Sequence, residues 1–266
     1  MKTLFFTIAG VVIKLNFHPA EGKFFSEKLK SDIIQHYKPF IKKKNKGKVD
    51  YTVHFYQKNT REISTKKIGK AVVFLMDFCQ VKGKKTILSD YKISLSQFQY
   101  ILLNMLQKYF MEHNGFILHS SGNIYHKRAV LFLGKPGAGK STAMGVLAER
   151  YISIADDSLI IKKEGKIFIC YQTPLIETNY WVKKKAAHFP IGGVFFLKKS
   201  SRYEIKEITD KNYIINRISK QIWVGGGLTS RQMKYVLKFI KINKFYFLYF
   251  GKNKKKLWSL FKHKLS

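Results

Sequence analysis

The stretch that most constrains how this chain can fold is Gly134-Lys135-Pro136-Gly137-Ala138-Gly139-Lys140-Ser141-Thr142. It follows the pattern G-x-x-x-x-G-K-[ST], the Walker A or P-loop motif. Such a loop works where a strand ends and a helix begins. Its glycines let backbone N–H groups converge on an anion, the helix supplies the positive end of its dipole, and the lysine adds a point charge. The flanks fit: Ala129-Val130-Leu131-Phe132-Leu133 is a short apolar run, and residues 142–150 have the composition of a helix. The segment predicts a strand, loop and helix that hold a polyphosphate, with the Ser141 hydroxyl placed to reach a Mg²⁺ ion.

The rest of the composition decides what surrounds that unit. At 266 residues, 45% hydrophobic and 15% aromatic, the chain can bury a real core in one large domain or in one domain with a smaller companion. A formal net charge of +34 raises the question of nucleic acid. Arginine, however, stands only at Arg61, Arg128, Arg150, Arg202, Arg217 and Arg231, so the excess is lysine, spread along the chain among Ile, Phe, Tyr and Asn. That bias is what an AT-rich genome produces, with lysines on solvated faces, and it argues against a nucleic-acid partner. Three clusters, Lys42-Lys43-Lys44, Lys183-Lys184-Lys185 and Lys254-Lys255-Lys256, are candidate docking points for something acidic. Two cysteines, Cys79 and Cys170, are too few for a disulfide framework or a four-ligand zinc site, and a reducing cytoplasm is the expected compartment. The apolar run 3–13 is too short to span a membrane and lacks a cleavage site, so it is expected to be a buried strand or a hairpin bent at Gly10.

Two parts are expected. Residues 1–93 carry no chemical motif and read as a small α+β part: strands at 4–17, 49–56 and 71–78, and a helix at 26–41. Residues 94–266 open with Ser94 and Gln97 as a capping box, followed by Leu95, Phe98, Ile101, Leu102, Met105, Leu106, Tyr109 and Phe110 at helical spacing and Asn114-Gly115 as a stop. Phe116-Ile117-Leu118-His119 then predicts a strand. After the P-loop helix come the strand Tyr151-Ile152-Ser153-Ile154, a hairpin pairing 159–161 with 167–169, the strand 193–197, a helix marked by Met233, Val236, Leu237 and Ile240, and the strand 245–250.

Asp156 and Asp157 close an apolar strand, where adjacent carboxylates can both turn toward a phosphate-holding loop. One can hold a metal bridging the phosphates while the other takes a proton from an attacking hydroxyl. His119 ends an earlier strand, where a histidine alone is as well explained by packing.

The order Leu118-His119-Ser120-Ser121-Gly122, then the loop 134–142, then Ala155-Asp156-Asp157 resembles the catalytic domain of HPr kinase/phosphorylase and its relatives, whose nucleotide core is shared with the ATP-dependent phosphoenolpyruvate carboxykinases. The similarity runs from about Ser94 to the C-terminus. It implies a mixed-sheet α/β fold, ATP with Mg²⁺, phosphoryl transfer to a hydroxyl such as serine, free or in a peptide, and assembly into a homo-oligomer. By motif position Lys140 would contact the β- and γ-phosphates, Ser141 and Asp157 would hold Mg²⁺, Asp156 would be the general base, and His119 would border the acceptor site. Arg217, with Arg231 as second candidate, would clamp phosphate. Thr142 stands where the HPr-specific enzyme has glutamate, and its second glycine-rich signature around Glu-x-Arg is missing, which speaks against HPr as acceptor. The competing expectations are a catalytically silent ATP-binding regulatory module and a P-loop ATPase acting on nucleic acid.

Overall fold

In a computed structural model, the protein is described at residues 3–19, 23–57, 63–68, 71–76, 78–177, 179, 181–224 and 227–264, with backbone only at 23–25, 63–68, 71–76 and 263–264. Two compact units divide the chain, Met1–Met105 and Leu106–Ser266.

In the first unit the alternating sequence of β1 (Thr3–Ile8) and β2 (Val11–Phe17) buries every second residue, and the two strands form an antiparallel hairpin. Ala9 and Gly10 turn it with φ of 51° and 86°, the double positive φ of a tight hairpin turn. Helix α1 (Lys23–Tyr37) stops earlier than residue 41. Pro39 lacks an N–H, and the chain tightens into a 3₁₀ turn (Lys38–Phe40) before β3 (Ile41–Lys42), which pairs with β1. Further strands are β4 (Tyr51–Tyr56), the hairpin of β5 (Ile63–Ile68) with β6 (Ala71–Met76), β7 (Cys79–Lys82) and β8 (Thr86–Asp90). Residue 77, part of the expected strand 71–78, lies outside the described residues. Six strands form a mixed sheet in the order β3-β1-β2-β4-β8-β7. Helix α2 (Leu95–Glu112) begins at the expected capping box: Ser94 N–H donates to Gln97 Oε1 at 2.8 Å, and Gln97 N–H donates to Ser94 Oγ at 3.2 Å. Its Phe98 meets Phe6 and Tyr37 in the core.

The second unit is a mixed α/β structure. It comprises β9 (Gly115–His119), β10 (Ser121–Tyr125), β11 (Arg128–Leu133), α3 (Lys140–Ala148), β12 (Ser153–Ala155), β13 (Ser158–Glu164), β14 (Ile167–Gln172), β15 (His188–Lys199), β16 (Glu204–Glu207), α4 (Lys211–Ser219), α5 (Ser230–Ile242), β17 (Phe245–Phe250) and α6 (Lys254–Lys264). The sheet runs β12-β10-β11-β15-β14-β13-β9, with β17 beside β15 and β16 beside β17. β15 is parallel to β11 and β17, and its first residues pair antiparallel with β14. One strand thus serves two halves of the sheet.

Alternate residues of β11 face two cores. Val130 and Phe132 join Ala143, Met144 and Leu147 of α3 and Leu257 and Phe261 of α6. Ala129, Leu131 and Leu133 join Ile214 and Ile218 of α4 and Val236 and Phe239 of α5. Helix α5 therefore buries Val236 and Ile240 as its spacing predicts, while Leu237 is 45% exposed and Phe239 takes the core position. Lys254-Lys255-Lys256, expected as a docking cluster, forms the exposed first turn of α6. Cations at a helix N-terminus cost about 0.3–1 kcal/mol each. Burying Leu257 and Phe261 contributes about 1.5–3 kcal/mol each, and Asn253 caps the helix through Lys256 N–H at 3.0 Å, so packing wins.

Candidate functional site

The glycine-rich loop is set where β11 hands the chain to α3. Gly139 precedes the helix with φ 97°, and a Cβ there would lie 2.9 Å from the Phe250 ring, so both the backbone and the packing demand glycine. Gly137 also has positive φ, at 76°. At Gly134 a Cβ would come within 2.6 Å of the Ala138 Cβ, which keeps the two ends of the loop in contact. No side chain caps α3, so its first-turn N–H groups stay open to an anion. Lys135, Pro136, Gly137, Ser141 and Thr142 are exposed, and Ala138, Gly139 and Lys140 are half-buried. Lys140 folds back over the loop, its Nζ donating to Gly134 O at 2.9 Å.

Burial pushes the Lys140 ammonium below the ordinary lysine range, and the carboxylates of Asp157 and then Asp156 pull it back up. The loop lysine and the paired aspartates therefore share one electrostatic neighbourhood. Asp156 is 7% exposed. Its Oδ2 accepts a hydrogen bond from the Asn179 amide. Its Oδ1 is buried and has no donor among the described residues.

Asp157 faces His119. The His119 Nδ1 lies 2.9 Å from the Asp157 carbonyl oxygen and 3.0 Å from Oδ1. Both oxygens can only accept, so Nδ1 carries the hydrogen and Nε2 is the remaining ring acceptor when the imidazole is neutral. The pairing of β9 with β13, Ser158 opposite His119, brings the two together. Trp223 stacks near the imidazole, with centroids 6.0 Å apart, and the His119 backbone N–H donates to the Gln221 carbonyl oxygen at 2.6 Å. Gln221 also lines a cavity of about 50 Å³ with Gly134, Lys135, Phe196, Arg217 and Lys220. Arg217, on α4, thus stands at the loop, while Arg231 is exposed in the first turn of α5 and lines none of that cavity.

Sequence reasoning missed the group that holds the aspartate turn. Glu177 Oε2 accepts both the Asp156 and the Asp157 N–H at 2.9 Å. Its Oε1 pairs with Lys184, and the two side chains are 3% and 13% exposed. Lys184 is the middle residue of the expected docking cluster Lys183-Lys184-Lys185; burial pushes its pKa down against the pull of Glu177. One signal was available: only 16 acidic residues stand in a chain of net charge +34, so an acid among apolar neighbours, as in Pro174-Leu175-Ile176-Glu177, has a specific job.

No protein-family model matches the chain, and no curated protein matches it. Among solved structures it is similar to the Hpr(Ser) kinase/phosphatase from Coxiella burnetii at 13% identity, over 54% of this chain and 90% of that one, with a TM-score of 0.33. Among the described residues no helix is long and apolar enough to cross a membrane, and no group of three or more His, Cys, Asp and Glu side chains is placed to hold a metal by itself.

Proposed function

We propose that the protein is an ATP-dependent, Mg²⁺-dependent kinase of the HPr-kinase type that transfers a γ-phosphoryl group to a hydroxyl, that of serine either free or within a peptide. The observation that carries this reading is the meeting of three elements remote in sequence. An uncapped glycine-rich loop with Lys140, the paired aspartates and His119 converge on one site.

The residues suit both ATP and Mg²⁺. Open helix N–H groups and a lysine receive phosphate. The Ser141 hydroxyl and the partly exposed Asp157 would supply two oxygen ligands to Mg²⁺, with phosphate and water oxygens completing its octahedral shell. The metal, once bound, screens the phosphate charge. Lys140 neutralises the β- and γ-phosphates, and Arg217 steadies charge from the α4 side of the loop. Asp156 Oδ1, which has no donor among the described residues, takes the acceptor's proton while the acceptor oxygen bonds to the γ-phosphorus and the bond to the bridging oxygen of ADP breaks. His119 fixes the orientation of Asp157 beside it and borders the acceptor.

The test uses purified protein, radiolabelled ATP with Mg²⁺, and a panel of serine, serine-bearing peptides and cell extract. Wild type is expected to label an acceptor, and Asp156→Asn to lower the rate by about 10²–10⁴-fold. Asp157→Asn should raise the Mg²⁺ concentration needed. ATP binding without transfer to any acceptor would instead identify a regulatory module, and absence of ATP binding would sink the assignment altogether.

A further inference from the structure

A second cavity, of about 440 Å³, opens at the far end of α3 from the glycine-rich loop, with Ala148, the helix's last residue, in its wall. Lys140 and Ala148 are the two ends of that helix, so the cavity lies about 12 Å along the axis from the loop lysine. Its volume is in the range of small-molecule sites.

The chain from residue 181 to 185 builds one wall by alternation. Trp181, Lys183 and Lys185 face the cavity. Between them Val182 is buried in the core, and Lys184 turns inward to Glu177. The lysine run is therefore two cavity cations flanking one internal ion pair. Tyr151, Ile152 and Phe189 also line the cavity. Ile152 and Trp181, both in its lining, are 66% and 39% exposed, apolar surface left open to solvent.

Gln172, 3% exposed, locks this geometry. Its amide nitrogen donates to Ile154 O at 2.9 Å and to Lys183 O at 3.1 Å. Its oxygen accepts from Lys185 N–H at 2.9 Å and from Ala187 N–H at 3.2 Å. Its hydrogen-bonding capacity is used up in joining the lysine segment to β12, so it offers nothing to a ligand. What the cavity does offer is aromatic surface and the ammonium groups of Lys183 and Lys185, neither of which has an ion-pair partner among the described residues. We propose that this cavity binds a small organic acid with a flat apolar body, its ring or chain against Trp181, Tyr151 and Phe189 and its anionic head between Lys183 and Lys185. This site is separate from the phosphoryl-transfer site and does not depend on that reading.

The test uses the full chain with 8-anilinonaphthalene-1-sulfonate, an aromatic anion that fluoresces in apolar cavities, displaced by 4-phenylbutyrate or by the uncharged 4-phenylbutanol. Saturable binding is expected, with the carboxylate displacing the probe at about tenfold lower concentration than the alcohol. Replacing both cations, Lys183→Glu with Lys185→Glu, should weaken probe and carboxylate by about tenfold or more. Trp181→Ala should weaken both competitors alike. Lys140→Ala and saturating ATP should leave probe binding unchanged. The proposal falls if no saturable binding occurs, if acid and alcohol compete equally, if charge reversal has no effect, or if ATP displaces the probe. Should Trp181→Ala lose its thermal transition, the exposed lysine pair still decides.

Discussion

Glu177 offers the sharpest test of how the aspartate turn is built. Replacing it with glutamine keeps the shape and leaves an amide oxygen to accept the Asp156 and Asp157 N–H groups, but it removes the anion beside Lys184. Lys184 is 13% exposed at its side chain and has no other hydrogen-bonded ion-pair partner among the described residues. Removing one member of a buried ion pair typically costs about 3–5 kcal/mol. At about 2–4 °C per kcal/mol for a unit of this size, Glu177→Gln should lower the melting temperature by roughly 6–20 °C. Lys184→Met should cost less, because the carboxylate left behind keeps two charge-assisted backbone hydrogen bonds. The double variant removes both charges and should lie within about 1–2 kcal/mol of wild type, a large departure from additivity. A pH series adds a sign. A lysine whose folded pKa lies below its unfolded value of 10.5 is protonated more in the unfolded chain, so Glu177→Gln should regain stability as pH rises toward 10.5. Urea and thermal melts of the three variants measure all of this. Simple additivity, or a Glu177→Gln cost under about 1 kcal/mol, would show that the pair does not hold the turn.

Gly139→Ala forces φ 97° on a residue with a Cβ and sets that carbon 2.9 Å from Phe250. A loss of about 1–2 kcal/mol or more in melts and loss of fluorescent-ATP binding are expected. Thr229 caps α5 in a complete capping box with Gln232, so Thr229→Ala should cost about 1 kcal/mol and Thr229→Ser much less, read from urea midpoints. His54 is held below the ordinary histidine range by burial, then by His18 and Lys14. A base of depressed folded pKa stabilises most above its unfolded value of 6.5 and loses that contribution as pH falls through it. Thermal melts from pH 8 to pH 5 should show this fall, and His54→Gln should flatten it.

What could be read from the chain was local. The glycine spacing, the apolar run before it and the lysine after it fix a strand, a loop and a helix within one stretch, and that stretch folds as expected. The hairpins of β1 with β2 and β13 with β14 were legible for the same reason: alternation and turn residues act over a few positions. Helix α4 was not, although Asp210 caps it through Tyr213 N–H at 3.0 Å, because its buried face reduces to Ile214 and Ile218. The contact of His119 with Asp157 needs β9 and β13 to lie side by side, and Glu177 acts through backbone N–H groups, which leave no imprint on side-chain patterns.

The shared strand has a consequence for the order of assembly. β11 can pair with β10 through a tight hairpin as soon as both are made, but its other edge matches residues 191–196, with Ala129 opposite Ile191 and Leu133 opposite Phe196. Until β15 emerges, the strand that presents the glycine-rich loop is an open edge, apolar from Ala129 to Leu133, the kind of surface on which chains join one another. Because the first residues of β15 also pair with β14, its arrival joins the two halves of the sheet, and β17, made later, adds to its edge away from β11. The loop therefore gains its rigid base in the same event that joins the two halves of the sheet, so a chain halted before β15 has the whole motif in its sequence and no platform to hold it.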